Sequence, residues 1–251
     1  MSLEVLFTPA EFLLLAERDL SETFCIVFDV LRATSTMATA LWNGAEAIIP
    51  VEEIEHALAL RRSEPAVLLA GERDGVRIGP GLTGGISFDL GNSPREFTEE
   101  MVRGKTIGMT TTNGTRALRA CAKARATFAA SFLNLQASAD AICQAAPKEL
   151  LLVCSGTLDQ AAYEDVLGAG AFCELVWKRY EDGQFADSAW MARELFLQAC
   201  NNLEGAVSRS RNARRLLARP ELRADVAFCV RRDSFPLIAA LGKDGLVRKL
   251  A

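Results

Sequence analysis

Histidine is almost absent from this chain, whose 251 residues include only His56. His56 lies in the segment Glu52–Leu58, which is predicted to be the polar face of a helix, so we expect a solvated side chain there. A two-histidine metal site is therefore excluded. Ser-His-Asp, Cys-His and phosphohistidine chemistry are disfavoured as well, because each would depend on this one side chain. Carboxylates, hydroxyls, amides and arginines remain as the groups that could carry a reaction.

Paired cysteines are lacking too. The seven cysteines lie far apart, with no Cys-x-x-Cys pair, and most sit inside apolar segments, as is typical of reduced thiols in a protein core. A cysteine-phosphatase loop needs an arginine six residues after its nucleophile, but Gln160 occupies that position after Cys154. Cys173 and Arg179 have the spacing, yet they belong to a predicted amphipathic helix without a glycine loop. A cysteine nucleophile is therefore not expected.

Strong net charge and long apolar runs are missing as well. The formal net charge is only −4, so the sequence gives no reason to expect a nucleic-acid partner. No apolar run approaches the length of a membrane span and no basic-then-apolar leader begins the chain, so we expect no membrane partner and a cytoplasmic location. A hydrophobic content of 50% can supply a full core.

Strand and helix patterns alternate along the chain, which indicates an α/β protein with parallel strands. No linker divides the chain, so residues 1–251 are predicted to form a single domain, with a more helical part from about Asp187. The predicted strands cover residues 3–7, 23–28, 45–51, 66–70, 105–109, 126–131, 150–154 and 225–230.

The stretch from Thr23 to Thr36 carries the strongest functional signal. An apolar run ends at Asp29, and Arg32 follows it just before a predicted helix that Thr34 or Ser35 could cap. The carboxyl edge of such a sheet is where ligands bind, and the first turn of a helix favours an anion. Asp29 could simply cap a turn and pair with Arg32 at the surface. Alternatively, Asp29 could hold a metal or attack phosphorus while Arg32 binds an oxyanion.

A second polar stretch, Thr110–Arg116, follows the strand at residues 105–109. Its hydroxyls, its amide and Gly114 at a helix start could surround phosphate oxygens, although an ordinary Asn-Gly turn with capping threonines is the alternative. Between the two stretches lies a glycine-rich loop at residues 71–94, too long to be structureless without a function. Its Gly79–Gly84 segment resembles a dinucleotide fingerprint but lacks the required context.

Two further charged segments are ambiguous. Adjacent acids Glu164 and Asp165 at a helix start could favour the helix dipole or hold a metal. The basic run Ser208–Arg215 is predicted to be a solvated helix face.

Five segments of the chain combine acids, arginines and hydroxyls: Asp29–Thr36, Gly71–Arg73, Phe88–Glu96, Thr110–Ala117 and Tyr163–Asp165. Together they resemble the 2-phosphosulfolactate phosphatase family in order and spacing. The likeness is specific to about Gly170 and thins afterwards to Asp225 and Pro236. The resemblance implies a three-layer α/β/α sandwich with a mostly parallel mixed sheet. It also implies magnesium-dependent removal of phosphate from (2R)-phospho-3-sulfolactate, giving 3-sulfolactate, on a route to coenzyme M.

The residues themselves suit this chemistry, because a heavily negative phosphoester needs cationic donors and a hard cation. Candidate catalytic residues are Asp29, Arg32, Glu72 and Asn113. Candidate Mg²⁺ ligands are Asp29, Asp89, Glu164 and Asp165. Candidate substrate-binding residues are Arg32, Thr34, Ser35, Arg73, Asn92, Ser93, Thr111, Thr112, Asn113, Gly114 and Arg116.

Several alternatives stay open at this point. Leu31 occupies the position where haloacid-dehalogenase-type phosphatases carry a second aspartate, so we expect direct attack by water rather than a phosphoaspartate on Asp29. A phosphatase of another small anionic phosphoester and a non-catalytic phosphometabolite-binding module are the other readings. The expected partner is a small anionic phosphoester, and a homodimer is a possible assembly.

Overall fold

The apolar run before Asp29 forms the central strand of a mixed sheet. The computed structural model describes residues 2–180 and 183–250. Within them the strands are β1 (Ser2–Leu6), β2 (Thr23–Phe28), β3 (Ala47–Pro50), β4 (Leu68–Arg73), β5 (Val76–Arg77), β6 (Thr106–Thr110), β7 (Ala126–Ala130), β8 (Glu149–Cys154), β9 (Gln184–Phe185), β10 (Ala239–Leu241) and β11 (Val247–Lys249). Their order in the sheet is β5-β4-β6-β3-β11-β10-β7-β2-β8-β1-β9.

The described α-helices cover both faces of this sheet. They are α1 (Phe12–Glu17), α2 (Ala33–Trp42), α3 (Ile54–Ser63), α4 (Pro80–Thr83), α5 (Glu99–Val102), α6 (Gly114–Ala120), α7 (Leu135–Ala145), α8 (Tyr163–Tyr180), α9 (Asp187–Ala199), α10 (Leu203–Val207), α11 (Arg211–Leu217) and α12 (Arg223–Cys229). None of these helices combines the length and the apolar character needed to cross a membrane.

Strand β2 shows how the layers arise. Side chains alternate between the two faces of a strand, and Cys25 and Val27 accordingly pack with α1, α2, α5 and α6. Ile26 and Phe28 pack on the opposite face with α7 to α12. Both faces of the strand are thus buried, which explains its continuous apolar sequence. The expected three-layer α/β/α sandwich with a mostly parallel mixed sheet is confirmed.

An antiparallel hairpin divides the sheet into two parallel blocks. One block contains β4, β6 and β3, and the other contains β7, β2, β8, β1 and β9. The β10–β11 hairpin turns at Asp244 and Gly245, as the sequence predicted, and is antiparallel to both neighbours. The two blocks therefore run in opposite directions along the ladder. Twist of about 20–25° per strand pair, accumulated over several steps, rotates one block strongly against the other.

The structure corrects two predictions of secondary structure. Residues Asp225–Val230 were expected to form a strand, but they belong mostly to α12. Asp225, Val226 and Cys229 are buried there, at helical spacing. The loop at residues 71–94 is also more ordered than expected, because it contains the β4–β5 hairpin, α4 and a 3₁₀ turn at Pro94–Glu96.

Candidate active site

A cavity of about 120 Å³ opens where strands from both blocks end. Segments following β2, β4, β6 and β8 contribute to its walls, and α11 covers one side. The cavity therefore combines residues that the two predicted polar stretches carry. Its lining residues are Asp29, Leu31, Arg32, Glu72, Asp74, Gly75, Asn92, Thr111, Thr112, Asn113, Thr157, Leu158, Asn212, Arg215, Leu216 and Arg219.

Asp29 is a buried acid in the wall of this cavity. It directly follows β2, and its Oδ1 accepts a hydrogen bond of 2.9 Å from the backbone N–H of Ala33 at the start of α2. Burial, together with the nearby carboxylates of Glu72 and Glu164, raises the pKa of Asp29 to about 7, against the opposing effects of the Ala33 N–H and Arg32. A carboxyl group of this pKa can exchange a proton near neutral pH.

The turn after β6 lies directly against Asp29. A Cβ atom at Gly114 would stand 2.7 Å from Asp29 Oδ2 and 2.6 Å from Ala33 Cβ, so only glycine permits this approach. Thr111 is buried and accepts from the Thr115 N–H through its Oγ1, which leaves its own O–H free to donate. Asn113 lines the cavity, and its carboxamide has no hydrogen-bond partner within the described part of the chain.

Arg32 is buried at the same end of the cavity. Its Nη1 donates to Asp225 Oδ2 at 2.7 Å and its Nη2 donates to the Gly75 carbonyl at 2.8 Å. The peptide bond between Leu31 and Arg32 is cis. A guanidinium has five N–H donors in a fixed plane, so donors remain for a ligand in the cavity.

Glu72 ties the loops of the β4–β6 block together. Its Oε1 accepts from both the N–H and the hydroxyl of Thr112, at 3.0 and 2.9 Å, and its Oε2 accepts from the Gly75 N–H at 2.7 Å. The carboxylate thus fixes the Thr111–Gly114 turn relative to the loop after β4. Glu72 borders the cavity, but both of its carboxylate oxygens already accept hydrogen bonds that hold these two loops together.

Two residues of the cavity wall, Asn92 and Asp29, offer oxygen atoms that could serve as ligands for a cation. Asn92 Oδ1 is buried without a hydrogen-bond partner among the described residues, which costs free energy unless a ligand or water satisfies it. Asp29 Oδ2 is not used by a hydrogen bond in the described structure, whereas Oδ1 is. Mg²⁺ usually takes one or two carboxylates together with waters and substrate oxygens. The donor set fits a cation shared with a substrate.

The described residues do not form a magnesium site made of several acidic side chains. Among residues 2–180 and 183–250, no group of three or more acidic, histidine or cysteine side chains is arranged to hold a metal. Asp165 is instead a structural brace, because its two oxygens accept from the N–H groups of Val30 and Gly156 at 2.8 and 3.1 Å. Burial, Glu164 and Asp29 raise the pKa of Asp165 well above its ordinary value.

Asp89 and Glu164 lie outside the cavity wall. Asp89 pairs with Arg61 and accepts from the Leu69 N–H, near the beginning of β4 rather than its end. Glu164 accepts from Asn212 at 2.6 Å and borders a neighbouring cavity, where its Oε2 is buried without a partner in the described residues. Burial also raises the pKa of Glu164. Among the described residues, the structure therefore does not bring Asp29, Asp89, Glu164 and Asp165 together as one ligand set.

Five other candidate side chains do not line the cavity. The hydroxyls of Thr34 and Ser35 donate to the carbonyls of Asp29 and Val30 at 2.9 and 2.8 Å, so they hold the turn that presents Asp29. Ser93 donates to Asp225. Arg73 contacts the Glu72 carbonyl and the Thr110 hydroxyl, and half-exposed Arg116 contacts Asp159.

The basic run contributes to the site, contrary to the prediction of a solvated face. Asn212, Arg215 and Leu216 of α11 line the cavity, together with Arg219 just beyond the helix. These positions are spaced at i, i+3, i+4 and i+7, which places them on one helix face. The sequence shows this helical spacing, but it does not show which part of the protein this helix face contacts. Asp225 is the other missed residue, because its segment was predicted to be a strand.

An α/β/α protein with acids, arginines and hydroxyls around one cavity at strand ends has the architecture of an enzyme acting on a small anionic metabolite. A family model described as 2-phosphosulpholactate phosphatase matches residues 12–244. The chain belongs to this family, and its enzyme class is that of the phosphoric monoester hydrolases. The resemblance seen in the motifs is thereby confirmed.

Relatives match along most of their length. A probable 2-phosphosulfolactate phosphatase of Caldanaerobacter subterraneus subsp. tengcongensis is 39% identical over 236 residues, covering 92% of this chain and 92% of the relative. Proteins with the same description from Thermotoga petrophila and Synechococcus sp. are 40% and 39% identical, and cover 86% and 88% of this chain and 88% and 90% of their own.

Proposed function

We propose that this protein hydrolyses (2R)-phospho-3-sulfolactate to 3-sulfolactate and inorganic phosphate. The printed descriptions of the relatives support this substrate, and the family supports the reaction. The observation that carries the proposal is the contact between Asp29 and the Thr111–Gly114 turn, because it places an acid with a pKa of about 7 beside anion donors. We also propose a cytoplasmic location and a role on a route to coenzyme M.

The phosphoryl group is placed against the turn after β6. The Thr111 hydroxyl and the Asn113 carboxamide can donate to its oxygens, and Arg32 supplies positive charge from the β2 side. Arg32 is held by two hydrogen bonds before a ligand binds, so its orientation costs little on binding. These donors would stabilise the charge that spreads over the phosphoryl oxygens in the transition state.

Asp29 serves as the general base. Its Oδ2 accepts a proton from a water molecule as the oxygen of that water bonds to phosphorus and the phosphorus–ester oxygen bond breaks. The leaving alkoxide of sulfolactate takes a proton from solvent. Because Oδ1 stays bonded to the Ala33 N–H, the carboxyl group keeps one orientation throughout.

Mg²⁺ would be held by Asn92 and by oxygens of the substrate, next to Asp29 rather than on the Oδ2 atom that accepts the proton. When bound it would neutralise phosphoryl charge, in line with the magnesium dependence that the family resemblance implies. A positive ion beside Asp29 would also lower the pKa of this acid from the value that burial gives.

The test is release of inorganic phosphate from synthetic (2R)-phospho-3-sulfolactate by the purified protein, with Mg²⁺ and then with excess EDTA. We expect turnover with Mg²⁺, loss of turnover on chelation, and recovery when Mg²⁺ is restored. Asp29→Asn should be inactive and Arg214→Gln, an exposed position on the outer side of α11, should be active. Turnover of plain phosphoesters alone would favour another metabolite phosphatase, and binding without any turnover would favour a non-catalytic module.

A further inference from the structure

The proposed phosphoryl site leaves two arginines of the cavity without a function. Arg215 and Arg219 lie on the α11 face that closes the cavity, with Asn212 and Leu216. Neither guanidinium has a carboxylate within salt-bridge distance among the described residues, although Asp29, Glu72 and Asp74 share the same walls. The α11 side of the cavity therefore carries positive charge that the protein itself does not pair directly.

Arg219 and Arg32 converge on the loop after β4. Arg219 Nη1 donates to the Asp74 carbonyl at 2.9 Å, next to the Gly75 carbonyl that Arg32 uses. A Cβ atom at Gly75 would lie 3.5 Å from Arg219 Nη1 and 4.0 Å from Arg32 Nη2. The two guanidinium groups therefore contact neighbouring carbonyls at the cavity wall, where an anion between them would relieve their repulsion.

Asp225 does not neutralise this cluster. Its carboxylate is shared between Arg32 and Arg95, with 2.7 and 2.8 Å hydrogen bonds on its two oxygens. The single negative charge of Asp225 is thus shared by two guanidinium groups, and it does not pair with Arg215 or Arg219. Arg215 and Arg219 thus add positive charge to a cavity whose wall also includes Thr111, Thr112 and Asn113.

We infer that Arg215 and Arg219 bind a second strongly acidic group of the substrate while the phosphoryl group lies against the Thr111–Gly114 turn. The group that fits is a sulfonate or a similar permanently ionised anion, because it presents several acceptor oxygens to guanidinium donors. These residues would select phosphoesters that carry such a group over phosphoesters that lack it. This inference rests on the proposed function and extends it to substrate selection.

The test compares two substrates that differ only in the acidic group, 2-phospho-3-sulfolactate and 2-phospholactate. Arg215→Gln and Arg219→Gln should each lower the ratio of their kcat/KM values by about ten- to a hundredfold, the usual effect of losing a charge-assisted contact. The loss should appear mainly as a higher KM for the sulfonated substrate. Arg214→Gln is the matched control, since it removes the same charge from the outward side of the same helix. Thermal unfolding of each variant checks that the helix is intact.

Binding of 3-sulfolactate and of lactate, measured by calorimetry, separates the two proposals. If the wild-type protein hydrolyses both phosphoesters and the variants leave their ratio unchanged, the selection site is refuted and the phosphatase function stands. If the wild-type protein hydrolyses neither, yet binds 3-sulfolactate in a manner that Arg215→Gln weakens, the anion site stands and the proposed function fails. Equal binding of 3-sulfolactate by wild type and by the Arg215→Gln/Arg219→Gln double variant would overturn the inference.

Discussion

Arg32 and Asp225 form a buried ion pair although 193 residues separate them in the chain. Arg32 follows the central strand and Asp225 lies in α12, so the pair fastens the helical C-terminal part to the cavity. Ser93 and Arg95 donate to the other oxygen of Asp225. The helical C-terminal part is therefore structurally necessary for the site, even though the family motifs are concentrated before Gly170.

Removing Asp225 should destabilise the protein as well as impair it. Asp225→Ala would leave the Arg32 guanidinium buried without its counter-charge, which typically costs about 3–5 kcal/mol. Urea unfolding should show this loss, and kcat/KM should fall because Arg32 loses its orientation. Asp244→Ala is the control, since Asp244 forms an exposed pair with Arg248 and such pairs contribute about 0–1 kcal/mol. A loss of stability no larger than that of Asp244→Ala would contradict the role given to the buried pair.

The shape of Arg32 matters as much as its charge. Two different nitrogen atoms of its planar guanidinium group donate hydrogen bonds, one to Asp225 and the other to the Gly75 carbonyl. Lysine cannot reproduce both and still face the cavity. We expect Arg32→Ala to lower kcat/KM by about ten- to a hundredfold and Arg32→Lys to recover little of it. Arg214→Lys tests the same exchange at the surface and should be neutral. Near-complete recovery with Arg32→Lys would show that charge alone suffices.

The sequence predicted the main contact of the site for a reason that is only partly correct. Asp29 and the Thr111–Gly114 turn were each predicted to follow a strand, and the strand ends of a parallel sheet share one edge. They do meet, but β2 and β6 belong to blocks that run in opposite directions, divided by the β10–β11 hairpin. Local patterns identify strands and their ends. They do not give the order of strands or the insertion of a distant hairpin.

The prediction for Asp89 failed because neighbouring residues of one loop reach different parts of the protein. Asp89 comes three residues before Asn92 in an irregular segment between β5 and β6. Asn92 reaches the cavity and Asp89 reaches Arg61. The apolar run Val226–Val230 failed for another reason, because a short apolar run fits a buried helix as well as a strand. That error concealed Asp225.

Gly114 is predicted to be indispensable for activity. A Cβ at this position would collide with Asp29 Oδ2 and Ala33 Cβ, so Gly114→Ala should push the turn away from Asp29. Overpacking of this kind costs about 1–3 kcal/mol, and displacement of the donors should lower kcat strongly. Gly81→Ala is the matched control, because nothing lies within 4 Å of its Cβ position. Denaturation curves and kcat values of both variants test the prediction, and an active Gly114→Ala would disprove the close approach.

The raised pKa of Asp29 predicts opposite effects of pH on activity and stability. As the base, Asp29 must be ionised, so kcat/KM measured with Mg²⁺ should rise as the pH rises through the pKa of Asp29, with a midpoint below about 7 because a bound cation would lower that pKa. Stability should change in the other direction. Between about pH 4 and pH 7 the folded state binds more protons at Asp29 than the unfolded state does, so the free energy of unfolding falls as pH rises.

Asp29→Asn isolates this effect, since Asn keeps an oxygen for the Ala33 N–H and cannot ionise. We expect activity to fall by about two to four orders of magnitude, as for the loss of a general base. The free energy of unfolding of the variant should also fall less between pH 4 and pH 7 than that of the wild type. A smaller fall should remain, because the raised pKa values of Glu164 and Asp165 still contribute to it. Metal-free unfolding curves across this range measure the difference. Parallel curves for wild type and variant would contradict the raised pKa.

The remaining question is whether Asp29 accepts a proton or the phosphoryl group itself. Its Oδ2 borders the donor turn in either case, and Oδ1 is fixed by Ala33. Leu31 replaces the second aspartate that would protonate the leaving group in the dehalogenase pattern, which favours direct attack by water. We therefore expect no radioactivity on the protein when turnover of a ³²P-labelled substrate is stopped with acid within the first turnover. Asp29→Asn provides the background level. Acid-stable label on the wild-type protein that is absent from Asp29→Asn would establish a phosphoaspartate and replace the general-base role proposed for this residue.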